Sequence, residues 1–157
     1  MTYLRDARAE DGECLSRIVE ESRAYDGVYK VQIKGVKFSP HYIDSNHVRV
    51  AEDDHKKVIA FYSVIVPGTS PHRKGAELDF MFVENRSQGQ GLGTALFRDL
   101  NTWAAEKQIE SITIVSHPPS SEFYEKMGAL QTGRLPPSGR VTWWRPIMTF
   151  TVAATRD

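Results

Sequence analysis

Apolar and polar residues change rhythm several times along the chain, and each change marks an element. A short strand is expected around Tyr3 to Arg5. From Asp11 to Tyr25, Leu15, Ile18, Val19 and Ser22 recur at helical spacing with charges between them, which predicts a helix. The rhythm fades from Asp26 to Asn46, where Gly27, Gly35 and Pro40 punctuate a loop or a short irregular helix. HVRVAED at 47 to 53 and KVIAFYSVIV at 57 to 66 read as two strands, joined tightly enough to form a hairpin. After a polar loop over 67 to 75, ELDFMFV at 77 to 83 reads as a fourth strand. Leu92, Ala95, Leu96, Leu100, Trp103 and Ala104 then mark a helix to about Lys107. IESITIVS at 109 to 116 is a fifth strand, and SEFYEKM is a short helix ending at Gly128, a natural residue after a helix C-terminus. Two closing strands follow, near Leu130 and from Trp143 to Val152, separated by LPPSGR. The order predicts an α/β (α+β) fold, a mixed sheet of about seven strands with helices on its faces.

Composition narrows the function. The 157 residues suit one domain, residues 1 to 157, with no internal repeat or linker. Lys and Arg total 20 and Asp and Glu total 20, so no global field points to nucleic acid or to an anionic membrane. Cys14 is the single cysteine; it can form no internal disulfide and reads as a small apolar helix residue in a reducing compartment. The charged start MTYLRDARAEDGE has no apolar leader segment, and the longest apolar-rich run, VIAFYSVIV, is far short of the roughly 20 residues that span a bilayer. A cytoplasmic location is the expectation.

The chemistry concentrates in RSQGQGLGTALF at 86 to 97, where Gly89, Gly91 and Gly93 lie between a strand and a helix. A strand that ends in such a turn leaves helix-opening amides without intrahelical partners, at the positive end of the helix dipole. That is an anion cradle, to which the Thr94 hydroxyl adds a donor. A nucleotide hydrolase is disfavoured because Gly93-Thr94-Ala95 supplies no lysine for a terminal phosphate. A dinucleotide fold is disfavoured too, since the glycine spacing fails and the acid about 20 residues on, Glu110, begins its strand instead of ending it.

The run Val83-x4-Gln88-x-x-Gly91-x-Gly93-Thr94-Ala95-Leu96 resembles the acyl-CoA pyrophosphate motif of the GNAT superfamily of N-acetyltransferases, usually Gln/Arg-x-x-Gly-x-Gly/Ala. Arg86-x-x-Gly89-x-Gly91 fits the bare pattern in another register; Gln88 stands at the usual loop distance from the strand end. SSEFYEKMGAL at 120 to 130 resembles the second motif of the same family, and the element order extends the resemblance over nearly the whole chain.

The resemblance implies a mostly antiparallel sheet with the fourth and fifth strands splayed apart, and acetyl-CoA as co-substrate with no metal. Met81, Phe82 and Val83 would hold the pantetheine arm, with Ser116 touching it from the other strand. Gln88, Gly89, Gln90, Gly91, Leu92, Gly93 and Thr94 would hold the pyrophosphate. Tyr124 falls on the family tyrosine that serves the leaving sulfur. Glu77 falls where some members carry a general base, and strict alternation would put Asp79 on the same strand face as Glu77, Met81 and Val83, which makes it a second candidate. Tyr25, Asp26 and Tyr29 cluster where the acceptor pocket is expected. Trp143 and Trp144, Arg86 and Arg98, and His117 are secondary candidates for pocket, phosphate and proton transfer. The implied activity is transfer of an acetyl group to the primary amine of a small molecule, by a monomer or homodimer. A peptide acceptor and a non-catalytic acyl-CoA-binding module are the alternatives.

Overall fold

The computed structural model describes residues 1–66 and 75–153. The polar loop expected over 67 to 75 lies, apart from Gly75, outside the described residues. Seven strands form one sheet: β1 (Tyr3–Asp6), β2 (His47–Glu52), β3 (Val58–Ile65), β4 (Gly75–Val83), β5 (Ser111–Val115), β6 (Leu130–Leu135) and β7 (Arg145–Thr151). Their spatial order is β1-β2-β3-β4-β5-β7-β6, antiparallel throughout except for the β4–β5 pair. The helices are α1 (Gly12–Glu20), α2 (Pro40–Ser45), α3 (Leu92–Glu106) and α4 (Ser121–Lys126). Among the described residues no helix is long and apolar enough to cross a membrane, and no cluster of potential metal ligands occurs.

Both faces of the sheet are covered, which explains why β3 is apolar almost throughout and does not alternate: Val58 to Val64 are all buried. One apolar layer contains Leu96, Leu100, Ile112, Ile114 and Met148 beneath α3. The other contains Leu15, Val19, Ile43, Val50 and Phe61 beneath α1 and α2. The first helix stops at Glu20, earlier than its apolar spacing suggests. Ser22 accepts a hydrogen bond from the Ala24 amide and starts a separate 3-10 turn over Arg23–Tyr25, so its burial serves a cap and not a helix face. The segment 26 to 46 resolves into a 3-10 stretch, Gly27–Gln32, and α2, which Ser39 caps by accepting from the Tyr42 amide with Pro40 in the first turn.

A charged network seats α3 on the sheet. Arg49 on β2 donates to both carboxylate oxygens of Asp99 on α3, at 3.0 and 3.1 Å. The buried Tyr62 hydroxyl on β3 donates to the same carboxylate at 2.6 Å. Since that proton is committed, His47 Nε2, 3.0 Å from the phenol oxygen, is the donor to it, and the imidazole stacks flat on Trp103 at 3.9 Å. Burial pulls His47 down to about 4, so the fold keeps it neutral. The unfolded chain takes up that proton near pH 6.5 whereas the fold resists it, so stability is complete above about pH 6.5 and falls as the pH drops toward 4. We expect thermal melts to show this loss beginning above about pH 5, before carboxylates contribute, and His47→Gln to flatten it. An unchanged slope in His47→Gln would assign the loss to other groups.

Candidate active site

The site is built where β4 and β5 part. They pair in parallel over only four positions, from Gly75 with Ser111 to Leu78 with Ile114. Beyond that point β4 continues to Val83 beside β3 alone, and β5 turns to β7, with the Ser116 amide donating to Pro146 O. The β4 edge from Asp79 to Val83 therefore faces a gap instead of a neighbouring strand. A cavity of about 360 Å³ fills that gap, lined by this edge, the glycine turn, α4 and the end of β5.

The parting coincides with a bulge. In the β3–β4 register Ser63 opposes Phe80 and Val64 opposes Leu78, so Asp79 is skipped. The extra residue reverses the facing of the strand. Ala76 and Leu78 join the layer under α3, whereas after the bulge Phe80 and Phe82 pack into the layer under α1, and Met81 and Val83 turn to the α3 side. This corrects the expectation from strict alternation: Glu77 does not share a face with Met81 and Val83. Glu77 is exposed, paired across the sheet with Ile65 and Thr113, and outside the cavity wall. Asp79 lines the cavity.

The three glycines have two different uses. Gly89 and Gly91 hold φ of 81° and 78°, in the left-handed region, and a Cβ on either would point into open space. Gly93 has an ordinary φ, but a Cβ there would come within 3.1 Å of the Phe123 ring, so its bareness admits α4. No side chain caps α3 at Gly91, so the first amides of this 15-residue helix remain available to an anion. Gln88 reaches back to donate to Val83 O at 3.2 Å, tying the turn to the strand end. We expect Gly91→Ala to strain the turn by about 1–2 kcal/mol, read as a lower melting temperature.

Of the residues expected to hold the cofactor, Met81, Phe82, Val83, Gln88, Gly89, Gly91, Leu92, Gly93, Thr94 and Ser116 all line the cavity, and Gln90 does not. Ser116 is buried, and its hydroxyl donates to His117 O at 2.7 Å, so its own chain occupies that proton. Tyr124 stands on α4 against Phe97 and Phe123, 9% exposed and facing the cavity. Burial, with a further contribution from Tyr25, pushes its hydroxyl above the ordinary tyrosine value, so it stays protonated.

Of the expected acceptor residues, only Tyr25 lines the cavity. Its ring stacks on His117 at 3.8 Å and on Phe82 at 5.3 Å, and burial raises its hydroxyl to about 12. Asp26 is exposed beside Lys30, at 3.7 Å, and Tyr29 meets the edges of His117 and Trp143 outside the cavity wall. Trp143 and Trp144 do not line the cavity either; Trp144 is 48% exposed beneath Arg134. Arg86 and Arg98 are exposed and away from it. His117 is a wall residue: Nε2 lies 3.0 Å from Ala24 O and must donate, which leaves Nδ1 to accept from the Ser120 hydroxyl at 2.8 Å. Burial lowers its pKa against the opposing pull of the Ala24 carbonyl, so it is neutral and its nitrogens are occupied.

Tyr42 and Ser63 went unread in the sequence. Ser63 had a signal, a hydroxyl in the middle of the apolar run VIAFYSVIV. Tyr42 had none, because it lies in the stretch where periodicity fades.

A family model described as an acetyltransferase (GNAT) domain matches residues 20–134. No curated protein matches the chain in sequence. Solved structures share the fold. The ribosomal-protein-S18-alanine N-acetyltransferase from Escherichia coli is similar with a TM-score of 0.73 at 16% identity, over 100% of this chain and 97% of that one. The PaiA N-acetyltransferase from Thermoplasma acidophilum in complex with coenzyme A gives 0.75 at 18%, over 96% and 99%. A GNAT superfamily phosphinothricin acetyltransferase from Sinorhizobium meliloti in complex with AcCoA gives 0.73 at 21%, over 96% and 88%.

Proposed function

The chain belongs to the GNAT acetyltransferase family and is an acyltransferase, and from that premise we propose that it moves an acetyl group from acetyl-CoA directly to the primary amine of a small molecule. One observation carries the proposal: a single cavity joins the bare turn at Gly89 and Gly91, the unpaired β4 edge, Tyr124 and Asp79. These residues suit coenzyme A. The turn and the uncapped start of α3 offer amides to a diphosphate, and the backbone of Met81 to Val83 offers strand-type hydrogen bonds to an amide-bearing arm.

When bound, the thioester supplies an activated acyl group and a thiol leaving group. The chain's own residues manage the protons. Asp79 takes one from the attacking amine, so that the amine enters the reaction neutral. Tyr124, protonated at neutral pH, hydrogen-bonds the departing sulfur or returns a proton to it. The Tyr25–His117 stack walls the cavity near this point and supports a compact acceptor. Similar folds are named both for a small molecule, phosphinothricin, and for a ribosomal-protein alanine, so the fold by itself favours neither class.

Thermal unfolding in parallel with coenzyme A, acetyl-CoA, NAD and ATP tests the cofactor. Coenzyme A and acetyl-CoA at about 100 times their dissociation constants should raise the melting temperature by about 5 to 15 °C, and NAD and ATP should not. Thiol release from acetyl-CoA across primary amines and short peptides tests the acceptor. Stabilisation without release by any amine would make the chain an acyl-CoA-binding module, and saturation by peptides alone would make it a peptide acetyltransferase.

A further inference from the structure

Asp79 sits at the bulge with its side chain gripped from the α2 side. The Tyr42 hydroxyl donates to Asp79 Oδ2 and lies 2.8 Å from Ser63 Oγ. A phenol has one proton, and it goes to the carboxylate, so the Ser63 hydroxyl donates to the Tyr42 oxygen. Ser63 is fully buried on β3, directly beside the bulge. Tyr42 is itself fixed: its amide donates to Ser39 Oγ at 3.1 Å, its carbonyl accepts from Asn46 Nδ2 at 3.0 Å, and its ring meets the edge-on face of Phe38 at 5.5 Å. Among the described residues no side chain engages Asp79 Oδ1. A carboxylate with one oxygen pinned and the other open has a single direction in which to accept a proton.

We infer that Tyr42 is a positioning residue for acetyl transfer: its phenol, held by Ser63, fixes one oxygen of Asp79 at the cavity wall and leaves the other for the amine proton. This rests on reading Asp79 as the proton acceptor. Among the described residues, the remaining titratable groups around Asp79 are Glu77 on its own strand, Tyr25 from the turn after α1, Tyr124 from α4 and His117 after β5. None of the latter three takes over the Tyr42 contact, since His117 is engaged by Ala24 and Ser120 and the two tyrosines approach each other instead. Burial, followed by Asp79 itself, keeps the proton on Tyr42, so the donor persists through neutral pH.

Tyr42→Phe and Asp79→Asn separate the two claims, assayed by thiol release from acetyl-CoA with whichever primary amine gives the highest rate in the panel above. Tyr42→Phe should lower kcat about tenfold with KM for acetyl-CoA unchanged. A fall in kcat without a rise in KM is what a misdirected proton acceptor gives and a loosened cofactor site does not. In the free protein, without any cofactor, the 13C NMR signal of the Asp79 carboxyl at neutral pH should move when its donor is removed. A Tyr42 of purely structural value would change the melting temperature and leave kcat at the wild-type value. If Tyr42→Phe folds poorly, Tyr42→Phe/Ser63→Ala removes the second hydroxyl that the first change leaves unpaired, and the same shifts are expected. Wild-type kcat and an unmoved Asp79 signal in the Tyr42 variants, with Asp79→Asn inactive, would overturn the inference alone. Wild-type kcat in Asp79→Asn would overturn both it and the proton-acceptor reading.

Discussion

Tyr124→Phe should lower kcat about a hundredfold and leave the affinity for coenzyme A and the melting temperature close to wild type. The split follows from where the two parts of the side chain lie. The ring is packed against Phe97 and Phe123, contacts that phenylalanine keeps. Tyr124 lines the cavity from α4, whereas the diphosphate would use the turn at Gly89 and Gly91. Local backbone bonds hold the residue in place: the Ala129 amide donates to Tyr124 O at 3.0 Å, and Gly128 ends α4 in the left-handed region with φ of 104°. Because burial holds its proton through neutral pH, the hydroxyl is always ready as a donor to a leaving sulfur. Only a bond made as the thiol departs would lower kcat without raising KM. Steady-state kinetics on acetyl-CoA reads both numbers, and equal kcat would remove Tyr124 from the chemistry.

The largest loss of stability is expected from Asp99→Ala, about 3 kcal/mol, because it strands partners that are already desolvated. Arg49 would keep only Asp6, at 3.2 Å, and the Tyr62 hydroxyl, in a fully buried residue, would lose its acceptor. Burial works against the charge on Asp99, but the bonds from Arg49 and Tyr62 outweigh it and hold the carboxyl below its ordinary range. The network spans β1, β2, β3 and α3, so its loss loosens the helix that follows the glycine turn. Urea unfolding measures the change; a loss below about 0.5 kcal/mol would mean that the pair behaves as an exposed ion pair of little value. Arg49→Met together with Asp99→Leu should recover part of the loss, since it leaves fewer stranded charges.

Much of the cavity wall was legible because it is built by backbone and by local order. Positive φ at Gly89 and Gly91 and the start of α3 follow from residues within one turn of chain, and Tyr124 from a short helix stopped by Gly128. Gly93 has a second use that the sequence hides: a glycine that admits another helix looks the same in sequence as one that admits a ligand, and Phe123, which a Cβ on Gly93 would meet, lies 30 residues further on. Asp26 and Tyr29 were expected in the pocket because they follow the first helix, yet Asp26 pairs with Lys30 and Tyr29 packs against His117 and Trp143, outside the cavity wall.

The sequence by itself determined the elements, their order, the glycine turn before α3 and the α/β class, since these arise from periodicity and dihedral preference over a few neighbouring residues. The tertiary structure alone decided that Asp79, and not Glu77, faces the cavity, because a bulge depends on how β4 registers against β3, a strand paired with it from elsewhere in the chain. It also decided that Tyr42 and Ser63 meet at that carboxylate, 21 residues apart, since hydrogen bonds between elements have no trace in local spacing.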